Sequence, residues 1–209
     1  MSSRERPRGR RRLCALALGL ALSLPQASVA GTRHYTLKSP DIHISACVGT
    51  TLDEIANAFH RRTGRDLTVT DGTRSIPEQA RLVALNLREG KNIVALYAAK
   101  KLAREITRAY REIPRQDREA RGVAVIEATL RAQVQRGEYL SKHMRHGAVD
   151  LRIHDLSASE RKILAREIRR ARVALVDESK SRRPHYHLNF LACLKPTAGK
   201  KPSTGPKAP

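Results

Sequence analysis

An α+β fold is predicted for this chain: a small, mainly antiparallel sheet packed by helices, with a helical insertion. Three observations predict it. Segments that alternate apolar and polar residues, such as AVDLRIHDL (148–156), are short and lie on both sides of a long central stretch. That stretch, 76–140, repeats its apolar residues at helical spacing. Finally, the 179 residues that follow an amino-terminal leader are enough for one domain with a substantial core.

The leader comes first in order. Arg4, Arg6, Arg8, Arg10, Arg11 and Arg12 stand against a single acid, Glu5, and LCALALGLALSL (13–24) follows. Ser28 and Ala30 flank Val29, so residues 1–30 read as a secretory signal peptide cleaved before Gly31. The apolar run is too short for an ordinary membrane-spanning helix, which counts against the competing reading, an uncleaved anchor. Arg11 and Arg12 permit a twin-arginine route, and Cys14 is misplaced for a lipid anchor. Removing the leader leaves 35 basic and 19 acidic residues, a net charge of +16 instead of +21. An exported protein of that charge meets anionic envelope polymers rather than nucleic acid. Aromatic residues make up only 3%, so base-stacking platforms are scarce and no nucleic acid is expected. The expected location is periplasmic or secreted, with no stable membrane span. Cys47 and Cys193 remain, as one disulfide or as two buried thiols.

DIHISACV (41–48) alternates as a short strand. TLDEIANAFHRRTG (51–64) is a helix capped by Thr50 or Thr51, with Leu52, Ile55, Ala56 and Phe59 inward and Gly64 as its stop. DLTVTDG (66–72) is a strand running into a turn. A helix then starts near Ile76, with Pro77 in its first turn and Leu82, Leu85 and Leu87 as its apolar face. A second spans 92–112, with Ile93, Leu96, Tyr97, Leu102, Ile106 and Tyr110 inward, and Pro114 breaks it. A third spans 118–135 on Val123, Ile126, Leu130 and Val134, and Gly137 ends it. Their many lysines and arginines are solvated helix faces.

In AVDLRIHDL, Ala148, Asp150, Arg152 and His154 share one face, and Val149, Leu151 and Ile153 the other. Ser157 and Glu160 form a capping box for SERKILAREIRRA (159–171). RVALVDE (172–178) and HYHLNFLACL (185–194) are strands separated by a polar loop, and residues 196–209 form a disordered basic tail.

The candidate chemistry lies in SKHMRHGAVDL (141–151) and the last strand. His143 precedes Asp150 by seven residues across a turn that Gly147 permits. His185 and His187 are two apart and point the same way. Two histidines and one carboxylate with an open position make a catalytic zinc set, whereas closed structural sites use four cysteine or histidine ligands. Asp177 and Glu178, just upstream, supply an acid that could deprotonate a metal-bound water.

Taken together, Ser141, His143, Ala148 and Asp150, then an acid, then His185 and His187, resemble the LAS-type zinc peptidases. That superfamily includes D-alanyl-D-alanine carboxypeptidases and dipeptidases, peptidoglycan endopeptidases and the amino-terminal domain of Sonic hedgehog. LTVTDGTRS (67–75) is similar to the segment that carries an arginine in those peptidases, and ESKSRRPHYH resembles the hedgehog acid and H-x-H segment with a longer loop. The resemblance covers roughly 50–194, with 76–140 unmatched in detail. It implies a sheet carrying Zn²⁺ on His143, Asp150 and His187, with His185 beside the metal. It further implies Glu178 as general base, with Asp177 as rival, and Arg74 holding a substrate carboxylate or oxyanion. The family usually has glycine where this chain has His146, and Gly147 comes one residue later. The implied function is a monomeric, exported zinc peptidase acting on peptidoglycan stem peptides. The alternative is a non-catalytic zinc module that binds wall polymer or protein, as the hedgehog domain does. A basic nucleic-acid-binding protein would explain the charge but not the ordered motif.

Overall fold

A computed structural model describes residues 32–181 and 183–194, so the predicted signal peptide and basic tail lie outside the described residues. In chain order the elements are β1 (Tyr35–Leu37), α1 (Ala46–Thr63), β2 (Leu67–Asp71), α2 (Ile76–Arg88), α3 (Ile93–Leu96), α4 (Lys100–Arg111), α5 (Arg118–Gln135), β3 (Ala148–Arg152), α6 (Ala158–Arg170), β4 (Ala174–Glu178) and β5 (His185–Asn189). The strands form one sheet in the order β1-β2-β3-β5-β4. Only β1 and β2 run parallel, so the sheet is mainly antiparallel and the fold is α+β, as predicted.

Alternation divides the sheet into two chemically different faces. Val149, Leu151 and Ile153 from the β3 segment, with Tyr186, Leu188 and Phe190 from the last, pack against α1 and α6 through Leu52, Ile55, Phe59, Leu164 and Ile168. The opposite face carries Asp150, His185 and His187. Helices α2 to α5 hold a second core of their own, built on Ala80, Val83, Leu102, Ile106, Ile126 and Leu130. Among the described residues no helix is long and apolar enough to cross a membrane.

Several elements depart from the sequence reading. The strand expected at 41–48 is a turn with a single bridge at His43, and α1 begins already at Ala46 with Ser45, rather than Thr50 or Thr51, at its amino-terminal cap. Val48 continues the buried Leu52–Ile55–Phe59 stripe one turn backwards, so helical burial overrides the local alternation. The expected 92–112 helix is two helices. Asn92 caps α3 with its side chain, and Tyr97 leaves the helix in an extended conformation that brings its hydroxyl within 2.8 Å of Gln79 Nε2. Leu96, expected inward, is 58% exposed. Ala80, Val83 and Ala84, not Leu85, form the buried face of α2, and Leu85 is exposed. Pro77 is the second residue of that helix, behind a Ser75–Glu78 capping box. The helix at Arg118–Gln135 and the Ser157–Glu160 box stand as predicted. The 148–156 strand stops at Arg152, leaving His154 exposed in a turn. The last strand stops at Asn189 and gives way to a 3₁₀ turn at Leu191–Cys193.

That turn carries Cys193 to Cys47, and the two form a disulfide with Cα atoms 5.7 Å apart across 146 residues of sequence. It pins the end of β5 to the start of α1. Closing so long a loop removes much freedom from the unfolded chain, on the order of 2–5 kcal/mol of stability for a native bridge. The Cys47→Ala/Cys193→Ala variant should therefore unfold at a clearly lower denaturant midpoint than the oxidised parent. Coincident midpoints would show that the bridge contributes nothing.

Candidate metal centre

The centre is built from one register and one turn. Antiparallel pairing sets His187 directly opposite Asp150. Because the neighbours of Asp150 face the core, its carboxylate is forced onto the other face, and His187 Nδ1 lies 2.7 Å from its Oδ1. His143 arrives from the 3₁₀ turn Lys142–Arg145, whose entry is capped when the Ser141 hydroxyl accepts the His143 backbone N–H at 3.3 Å. Its Nε2 lies 3.3 Å from His187 Nδ1 and 3.5 Å from Asp150 Oδ1. The three donor atoms fall within 4.8 Å of one another, and both His143 and Asp150 are buried.

Each histidine is anchored through its other nitrogen. His143 Nδ1–H donates to the Gly72 carbonyl at 2.5 Å, and His187 Nε2–H donates to Asn189 Oδ1 at 3.0 Å. With those anchors in place, His143 Nε2 and His187 Nδ1 would offer their lone pairs to an ion in place of the contacts they make with Asp150 without one. A carbonyl or amide oxygen on the far nitrogen is what metal-binding histidines use. Two imidazoles and a carboxylate thus fit a metal ion by ligand type and direction, with Gly72 and Asn189 fixing the rings.

Two backbone positions hold these groups. A Cβ on Gly72 would run into the His43 carbonyl, so only glycine lets the chain pass there and offer its own carbonyl to His143. His146, where the family resemblance places glycine, has φ 58° and lies in the left-handed region that glycine favours and histidine tolerates. A glycine at this position would adopt the same φ without strain. The Ser45 hydroxyl donates to the His146 carbonyl at 2.9 Å and ties this turn to the start of α1.

Burial alone would push the Asp150 carboxyl up. Hydrogen bonds and charge from His143 and His187 outweigh it and hold the group well below the usual carboxylate range. Arg74 approaches its other oxygen, with Nη2 3.9 Å from Asp150 Oδ2. Burial works against the Arg74 charge, but Asp71 more than restores it. Nε and Nη2 both donate to Asp71, and Nη1 donates to Gln79 Oε1 at 3.2 Å. Arg74 is therefore largely engaged within the protein. Asp71 and Gln79 are site residues that sequence reasoning missed. Asp71 stands in the quoted TVTDGTR segment, whereas buried Gln79 gives no signal without the fold.

His185 also reaches the centre, with Nε2 3.9 Å from Asp150 Oδ1 and 3.4 Å from Glu178 Oε2. Its Nδ1–H donates to the Arg183 carbonyl at 2.7 Å. Glu178 lies opposite His185 in the β4–β5 ladder, so the two share the metal-facing side. Asp177 lies opposite Tyr186, facing the other way, and accepts the Ser179 backbone N–H at 2.9 Å. Arg74, His143, Asp150, Glu178, His185 and His187 line one cleft of about 1240 Å³, which Asp177 does not join, and the helical insertion supplies a wall of it through Leu85, Leu96 and Tyr97.

Comparison with protein-family models, curated proteins and solved structures finds no match to this chain. What the structure does contain is a candidate metal-binding triad, His143, Asp150 and His187.

Three outcomes are expected of the purified protein. His143→Ala or Asp150→Ala should remove the ion held at this centre, a loss of one equivalent of metal in elemental analysis. Gly72→Ala, which displaces the carbonyl that orients His143, should weaken metal affinity about 10–100-fold while the fold survives. In the metal-free protein, the depressed Asp150 pKa adds stability that is present above the unfolded value, about 3.9, and is lost as pH falls through the folded one. Acid unfolding below about pH 4 should accordingly be shallower in Asp150→Asn than in the parent. Parallel acid limbs would refute that coupling.

Proposed function

We propose that this chain is an exported zinc-dependent peptidase that cleaves peptidoglycan stem peptides, as a carboxypeptidase or endopeptidase. One observation carries the reading: two histidines and a carboxylate converge with their outer nitrogens anchored, and the Glu178–His185 pair lies beside them in the same cleft. The ordered motif that resembles the LAS-type peptidases supports it. So does the positive charge, which suits an anionic wall polymer.

His143, Asp150 and His187 would hold Zn²⁺, which supplies Lewis acidity and a water acidified to a pKa of about 7. Glu178 Oε2 accepts the proton of the water that attacks the scissile carbonyl carbon. As the C–N bond breaks, the same carboxyl returns that proton to the leaving amine. His185 Nε2 has Glu178 on one side and the centre on the other, so it can hold the carboxylate in line or hydrogen-bond the tetrahedral oxygen. Arg74 has two N–H groups beyond those given to Asp71 and Gln79, counting five in the guanidinium. These can meet a substrate carboxylate or the oxyanion, and the guanidinium also steadies Asp150.

The engagement of Arg74 by Asp71 also favours a second reading, a zinc-containing module that binds wall polymer or protein without cleaving it.

The test is digestion of purified peptidoglycan with mass spectrometry of the products, alongside metal analysis. Glu178→Gln should lose about 10²–10⁴-fold in rate and keep its metal, while Asp177→Asn stays near the parent. Arg74→Ala should raise KM or lower kcat with metal retained. A Glu178→Gln enzyme as fast as the parent would overturn the assignment of the base. A zinc-loaded parent inert on every wall peptide would favour the binding module.

A further inference from the structure

We propose a second transition-metal site, outside the cleft, formed by His34, His60 and Asp66. The parallel register sets Tyr35 against Leu67, so the residues just before them, His34 and Asp66, lie side by side. The Leu67 N–H donates to the His34 carbonyl at 3.0 Å and locks that placement. His60 comes from the last turn of α1, which Gly64 stops in a left-handed conformation so that the chain doubles back to Asp66. Three separate pieces of backbone thus deliver two imidazoles to one carboxylate.

Nδ1 of His34 and Nδ1 of His60 each lie 2.9 Å from the same oxygen, Asp66 Oδ1. The rings stack with centroids 3.7 Å apart and planes 23° apart, so both nitrogens sit on the same side of the pair. All three donors lie within 4.8 Å of one another. An ion about 2.1 Å from each donor requires donor separations of roughly 2.9–3.5 Å in octahedral or tetrahedral geometry, and the two nitrogen–oxygen separations already fall there. Imidazole nitrogen with a single carboxylate suits zinc, nickel or copper and not calcium or magnesium, which take oxygen ligands.

The surroundings leave room for an ion. Arg65, the nearest cation in sequence, directs its guanidinium to Asp155 and Glu160 instead of Asp66. Among the described residues no lysine or arginine pairs with Asp66. Its side chain is about half exposed, so water can complete the coordination shell. Asp66 and Gly72 bound β2 at opposite ends, about 20 Å apart at ~3.3 Å per extended residue. The two centres should therefore fill independently, with this exposed one the weaker.

The experiment is equilibrium dialysis of the chelator-stripped full chain against ZnCl2, with bound ions counted by elemental mass spectrometry and folding checked by circular dichroism. The parent should bind two zinc ions per chain. The His34→Gln/His60→Gln variant, altered at partly exposed positions, should bind one, and Asp66→Asn should bind the second ion more weakly. In a His143→Ala/Asp150→Ala background one ion should remain and should vanish when His34→Gln/His60→Gln is added. A parent that binds a single ion, unaffected by His34→Gln/His60→Gln but lost in His143→Ala/Asp150→Ala, would overturn this site and leave the cleft centre standing. A single ion removed by His34→Gln/His60→Gln alone would support this site and count against the cleft centre. Two ions retained in folded His34→Gln/His60→Gln would overturn the assignment to these residues.

Discussion

The pairing of β3 with β5 constrains both the core and the site. Val149 against Leu188 and Leu151 against Tyr186 bury apolar side chains on one face, while the same ladder places Asp150 against His187 on the other. A slip of one residue would expose the valine and leucines and bury the aspartate and histidine in the apolar layer. The core's demand for burial thus fixes the register, and the register alone brings the ligand-type atoms together. No separate device is needed to pair Asp150 with His187. Only His143 comes from elsewhere, and it needs more support: the Ser141 cap, the left-handed His146 and the carbonyl of Gly72.

This division explains what was legible in the sequence. Period-two alternation is a direct record of a sheet with one buried face, so Asp150, His185 and His187 could be placed on their side from the letters alone. The capping box at Ser157 and the stop at Gly64 are equally local, since their chemistry is complete within a few residues. The three-residue β1 is too short to carry a pattern. At 41–48 the alternating Ile42 and Ile44 are only partly buried, and the stronger helical stripe starting at Val48 decides the structure. In α2 the leucines suggested the core, yet the smaller Ala80, Val83 and Ala84 take it, because α5 packs closely against that side. Leu85 faces the cleft instead, a placement that depends on a partner surface no local window contains.

Charge adds a further constraint. A chain with a large excess of arginine and lysine is a poor host for a metal cation unless anions are concentrated locally. Asp150 lies within the donor set, Asp71 neutralises Arg74, and Glu178 pairs with His185 on the rim. Acids are thus grouped around this point, whereas α4 and α6, away from it, carry five basic residues each. The carboxyl of Asp150 stays ionised despite its burial because both histidines hydrogen-bond to it.

The insertion is joined to the centre by a polar path as well as by the cleft wall. Asp150 meets Arg74, Arg74 donates to Gln79 on α2, and Gln79 donates to the Tyr97 hydroxyl at the break between α3 and α4. Gln79 is fully buried, so an unpaired amide there would be costly, and its two bonds account for the departure of Tyr97 from the helix. That break in turn leaves Leu96 exposed toward the cleft rather than packed in the helical core. The same hydrogen-bonded chain that steadies Asp150 therefore shapes the surface a substrate would meet. A change at Tyr97 or Gln79 can be felt at the carboxylate without any contact between them.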